Sequence, residues 1–135
     1  MPTEEFVRAQ FAPWETADPH SWFGTLAENV KWTVMGKQNP LRGEYNSREK
    51  VLEVFHGLMS KMAGPPTVKI ENIITSGDYA VVEMSFAAPT KVPLEMYESK
   101  GFEQDMIWVC RYEGETIVEL RCYIDTYGEE ILFKS

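Results

Sequence analysis

Acid–base chemistry needs an ionisable side chain held where a substrate can reach it, and few residues of this chain qualify. Asp105 stands beside Met106, Ile107 and Trp108, where a charge must be solvent-facing, paired or put to use. Asp125 falls at the end of the last strand pattern, where a carboxylate serves as a general base if burial raises its pKa. Tyr123, two residues earlier, has a hydroxyl that can donate to an oxyanion. His56 lies inside a regular element, and imidazole is the usual proton shuttle. His20, in the first turn of a helix, and Glu83, between Val82 and Met84, are weaker candidates. Each has a plainer reading. Asp105 and Glu83 can face solvent, Asp125 can cap a turn, Tyr123 can pack on an outer face, and His56 sits to one side of an apolar stripe.

Several chemistries are not indicated. There is no nucleophile elbow, no Gly-rich phosphate loop and no zinc spacing, which argues against ester hydrolases, nucleotide enzymes and metalloenzymes. No metal and no cofactor is expected. Cys110 and Cys122 fall on neighbouring strands, so a disulfide is conceivable, but buried free thiols fit better. The net charge is −8 and the basic residues are scattered singly, so neither nucleic acid nor an anionic membrane is an expected partner. No apolar run approaches the ~20 residues that cross a bilayer. The acidic start, Met1-Pro2-Thr3-Glu4-Glu5, does not read as a signal peptide, and a cytoplasmic location is expected.

The elements that must position these residues are readable from spacing. The 135 residues suit one domain, and 44% apolar with 13% aromatic residues suffices for a core and a cavity wall. Thr3 caps a helix carrying Phe6, Val7 and Phe11, which Pro13 is expected to stop. Asp18-Pro19 starts a second helix, on which Trp22, Phe23, Leu26 and Val30 recur at helical spacing. Val30–Met35 is β-rich, and Gly36–Pro40 breaks it. Ser47 opens the clearest helix, with Val51, Val54, Phe55, Leu58, Met59 and Met62 on one stripe. Thr67–Thr75, Tyr79–Ala88, Phe102–Tyr112 and Glu115–Thr126 read as strands, joined at Ser76-Gly77-Asp78, by a loop over Pro89–Lys100, and at Glu113-Gly114. That loop, with Met96 and Tyr97, is either a lid or a plain connection. The tail Tyr127–Ser135 has no strong pattern. Four strands in meander twist strongly, and three helices placed before them cover one face. The expectation is an α+β domain in which a curved antiparallel sheet is wrapped by three N-terminal helices, leaving a cone with a mouth.

Three stretches carry a resemblance over nearly the whole chain. They are Trp32-Thr33-Val34-Met35-Gly36 with Leu41-Arg42-Gly43-Glu44-Tyr45, then Ser76-Gly77-Asp78-Tyr79-Ala80-Val81-Val82-Glu83, then Arg111–Glu119 running into Tyr123-Ile124-Asp125-Thr126. In order and at this spacing, they resemble the SnoaL-like polyketide cyclases. These sit in the nuclear-transport-factor-2-like superfamily, beside ketosteroid isomerases and limonene epoxide hydrolases. The resemblance implies a cystatin-like α+β barrel and cofactor-free chemistry in the cone: aldol cyclisation, double-bond isomerisation or epoxide opening. Other members only bind ligands or dimerise. The acid–base positions of the relatives fall here near Val34 or Met35, near Met84 and Phe86, and at Cys122, so neither known mechanism carries over.

Strand parity divides the last strand into Val118, Leu120, Cys122 and Ile124 on one face and Glu119, Arg121, Tyr123 and Asp125 on the other. The apolar set reads as the inner face. Trp32, Phe55, Met59, Met84, Phe86, Trp108 and Cys122 are the expected cavity wall, suited to a flat apolar ligand. Two readings result. One is a cofactor-free isomerase or cyclase acting on a polyketide- or terpenoid-like compound through Asp105 or Asp125. The other is a non-catalytic small-molecule carrier or dimerising module. It prevails if the carboxylates face outward or the cone is filled by side chains. Both allow a homodimer through the outer face of the sheet.

Overall fold

The structure is a computed structural model and describes residues 1–16, 18–37, 39–90 and 101–124. Helix α1 spans Glu4–Glu15. The Thr3 hydroxyl accepts the Phe6 N–H at 3.1 Å, and Glu4 and Glu5 sit favourably at the positive end of the helix dipole. Pro13 does not stop this helix. It removes one backbone donor in the last turn, and the helix runs two residues beyond it.

Helix α2 is short, His20–Phe23, and gives way at Gly24. Leu26 and Val30 are not on it. They belong to strand β1, Leu26–Val34. A spacing of four is even, so it places both residues on one strand face just as it would place them on one helix face. The burial of Leu26, Val30, Trp32 and Val34 follows that strand parity. Strand β2, Gly43–Tyr45, pairs antiparallel with β1 and was not evident in the sequence. Helix α3 is Arg48–Met59, with the Ser47 hydroxyl accepting the Lys50 N–H at 3.1 Å. It buries Val51, Phe55 and Leu58.

Four long strands follow: β3 Thr67–Ser76, β4 Tyr79–Pro89, β5 Gly101–Glu113 and β6 Thr116–Ile124. Gly77 and Gly114 take positive φ of 56° and 60° in the two tight hairpins, a backbone conformation that side-chain-bearing residues resist. The sheet order is β2-β1-β6-β5-β4-β3. All neighbours are antiparallel except β1 and β6, which run parallel, so the sheet is mixed where an antiparallel one was expected. It is curved and unclosed, with the helices against its concave face.

That face is apolar throughout. Ala80, Val82, Met84, Phe86 and Ala88 of β4 meet Met106, Trp108, Cys110 and Tyr112 of β5 and Leu120 and Cys122 of β6. Above them Phe11, Trp14, Trp22, Phe55 and Trp108 form an aromatic core, with ring centroids 5.3–6.1 Å apart in tilted and edge-to-face pairs. One buried polar link ties α1 to the last hairpin. The Tyr112 hydroxyl donates to Gln10 Oε1 at 2.5 Å, and Gln10 Nε2 donates to the Glu115 carbonyl at 3.2 Å. Both cysteines are buried and unpaired, as the better of the two expectations had it.

The convex face is polar with apolar interruptions. Arg111 Nε donates to Glu119 at 2.9 Å, and Asn72 Nδ2 donates to Glu83 at 3.1 Å. Ile74, Tyr79, Ile107 and Tyr123 are exposed there.

Candidate functional site

The cone keeps a small residual cavity of about 30 Å3 between α3 and the concave face of the sheet. Val54, Phe55 and Leu58 of α3 cover it, and Leu41 closes one side. Its floor is Gln104, Met106 and Trp108 of β5, Cys122 and Ile124 of β6, and Trp32 of β1. A space of this size holds one or two waters, since a single water needs roughly 10–15 Å3 of such volume. Among the described residues no charged side chain lines it.

Strand register sets the floor. Trp108 lies directly opposite Cys122 across β5 and β6, and Val34 lies opposite Cys122 across β1 and β6. The Trp32 indole N–H donates to Cys122 Sγ at 2.7 Å, and the Trp32 ring stacks on Phe55 at 5.2 Å and 18°. Burial pushes the Cys122 thiol well up, with Cys110 adding to the rise. The indole hydrogen bond pulls the other way without overcoming it. Burial thus favours the thiol form of Cys122 over the thiolate, the form that acts as a nucleophile.

Two polar atoms here have no hydrogen-bond partner among the described residues. Gln104 is only 7% exposed, and its Oε1 accepts nothing. Trp108 is 2% exposed, and its Nε1 donates to nothing. A buried group left unpaired costs about 1–3 kcal/mol. Here an orphaned acceptor and an orphaned donor belong to residues lining one cavity.

Of the residues expected to form the wall, Trp32, Phe55, Trp108 and Cys122 meet at this cavity. Met84 and Phe86 are buried on the concave face but do not line it: on β4 they sit opposite Met106 and Gln104, one strand further from β6 and β1. Met59 belongs instead to an outer groove between α2 and α3. Of the expected acid–base residues, those that the structure describes do not gather in the cone. Asp105 is exposed on the convex face, because strand alternation turns Gln104 and Met106 inward and sends Asp105 out. Tyr123 is 43% exposed on the same face, beside inward-facing Cys122. His56 is exposed and lines the outer groove with Met59. Asp125 lies outside the described residues, as do most of the Pro89–Lys100 connection and the tail beyond Ile124. Glu83 is half-buried on the convex face and accepts from Asn72.

Sequence reasoning missed Gln104. Its signal was present: Trp108, placed on the wall, shares its parity with Gln104 and not with Asp105. Among the described residues no cluster of three or more His, Cys, Asp or Glu side chains could hold a metal ion. No described helix is long and apolar enough to cross a membrane.

A curved, unclosed sheet closed over by short helices around an uncharged cavity defines the class: a cone-type α+β domain. The chain belongs to the SnoaL-like domain family, whose model matches residues 7–120. Solved structures share the fold. An NTF2-like protein of Burkholderia thailandensis E264 is 23% identical over 100% of both chains, with a TM-score of 0.78. A Catenulispora acidiphila protein of ketosteroid isomerase-like fold, in complex with trimethylamine, is 20% identical over 90% of this chain and 86% of its own, with a TM-score of 0.65. TerC, co-crystallised with polyporic acid, is 16% identical over 97% of each chain, with a TM-score of 0.73. The comparison with curated proteins gave no match.

Proposed function

We propose that this chain is a small-molecule-binding domain whose cone receives the hydroxyl or enol end of a flat apolar compound through Gln104 and Trp108. The pair of orphaned atoms carries this reading. A hydroxyl both donates and accepts, so it can serve either Gln104 Oε1 or Trp108 Nε1, which stand four residues apart on β5. Both residues line the 30 Å3 cavity, whose size suits a polar head group. Leu41, Val54 and Ile124 are only partly buried, so they form the solvent-facing side of the cavity, where the apolar body would lie. Relatives of the fold bound to trimethylamine and polyporic acid support a role in holding small organic molecules. Catalysis by a cone carboxylate has less support, because Asp105 faces outward.

Gln104→Leu tests the reading. It removes an unpaired buried acceptor, so the variant is expected to be as stable as the parent or about 1 kcal/mol more so in urea unfolding. Its affinity for a hydroxyaromatic probe such as 2-naphthol is expected to fall about tenfold or more, the equivalent of about 1.4 kcal/mol, by calorimetric titration. Unchanged affinity in this variant and in Trp108→Phe would reject the assignment.

We further propose that the convex face pairs two copies of the chain. Ile107 and Tyr123 are cross-strand neighbours, 41% and 43% exposed, and Ile74 is 53% exposed on the same side of the sheet. A self-complementary patch of this kind suits a two-fold interface. Sedimentation is expected to give the mass of two chains for the parent and of one chain for Ile107→Lys/Tyr123→Lys. A parent that sediments as a single chain at high concentration overturns this.

A further inference from the structure

The chain has two histidines, and both line one groove on the far side of Phe55 from the cone cavity. The groove is about 220 Å3 and lies between the Asp18–Phe23 segment and α3. His20 and His56 face it with Asp18, and Trp14, Phe23 and Phe55 form its base, with Leu52 and Met59 on the α3 side. We infer that this groove is a second small-molecule site, distinct from the cone, and that its ligand is a neutral single-ring phenol.

The size comes first. The groove falls below the ~300 Å3 at which drug-sized ligand pockets begin, so it suits a small ring compound. The base selects for an aromatic ring. Trp14, Phe23 and Phe55 pack on one another at 5.3–5.8 Å, two of the three pairs edge-to-face, and give the groove an aromatic base. A ligand ring adds further edge-to-face or offset contacts to such a cluster.

The rim selects the polar group. Neutral imidazole has one donor and one acceptor nitrogen, and a phenolic hydroxyl complements both. Asp18 accepts the His20 backbone N–H at 3.4 Å and places a carboxylate acceptor on the rim. A carboxylate or phosphate head would meet Asp18 and a chain of net charge −8, so an anion is disfavoured. His20 and His56 lie on separate elements and are exposed, so their convergence at a groove is not a demand of the core.

Phenol itself is the probe, titrated into isotope-labelled protein and followed by the imidazole and indole resonances. Both imidazoles are expected to shift together along one saturable curve. His20→Gln/His56→Gln is expected to weaken binding about tenfold or more with the circular dichroism unchanged, since both side chains are exposed. Gln104→Leu, the cone variant, is expected to leave phenol binding at the imidazoles intact. Shifts confined to the Trp32 and Trp108 indoles overturn the inference and place phenol in the cone. No saturable imidazole shift overturns it outright. Tighter saturation by tetramethylammonium or benzoate overturns the ligand class.

Discussion

Trp22→Ala is expected to remove about 3–5 kcal/mol of folding stability, the cost of emptying a well-packed aromatic site. Trp22 is completely buried, and the rings of Phe11, Trp14, Phe23 and Trp108 lie 5.2–5.4 Å from it. These neighbours come from α1, α2 and β5, so the void cannot close without moving a helix against the sheet. Domains hold only ~5–15 kcal/mol in total, so the variant should unfold at much lower urea concentration or fail to fold at 37 °C. Trp22→Phe separates packing from polarity. It keeps a ring and removes the indole N–H, which finds no acceptor. Its loss should therefore be well under half that of the alanine variant. An alanine variant within 1 kcal/mol of the parent would mean that the helices do not share one cooperative core with the sheet.

Alkaline pH should destabilise the protein earlier than is usual. Burial raises the ionisation of both the Cys110 and the Cys122 thiol. In the unfolded chain a thiol ionises near pH 8.5. The folded values are raised, so the stabilisation is fully present below that pH and is lost as the pH climbs toward the folded values. Each thiol then removes about 1.4 kcal/mol per pH unit, and the two together remove roughly 3 kcal/mol per unit above about pH 8.5. Burial raises Tyr112 as well, which extends the loss at higher pH. Urea midpoints measured from pH 7 to pH 10 should fall along this course, and Cys110→Ala/Cys122→Ala should flatten it. A parent whose stability is level from pH 8 to pH 10 contradicts the burial of these thiols in a closed core.

The parts of this fold that were legible in the sequence are those governed by local rules. Thr3 caps the first helix as expected, Ser47 opens the helix expected to start there, and Gly77 and Gly114 make the turns between the long strands. The illegible parts depend on partners distant in the chain. Leu26 and Val30 fit a helix and a strand equally, and pairing with Ile117 and its neighbours on β6 decided for the strand. Three-residue β2 exists only because β1 presents an edge to it. Asp105 was ambiguous in isolation, yet the inward assignment of Trp108 already turned it outward. Gln104 escaped notice because a neutral amide is not an ionisable candidate. The meeting of His20 and His56 depends on how α2 lies beside α3, which no local pattern encodes.

The parallel join of β1 to β6 bears on how the chain assembles. In the central seam of the sheet, Leu26 pairs with Ile117 and Trp32 with Leu120. During synthesis β1 emerges well before its partner β6, with α3 and three long strands made in between. Until then β1 presents an unpaired edge that carries Leu26, Val30, Trp32 and Val34. The β3–β4–β5 meander can form by short-range hairpin closure, whereas the seam waits for a loop of most of the chain to close, the slow step in non-local topologies. The same strand that completes the cone therefore ends the interval in which the nascent chain is most prone to pair with the wrong edge.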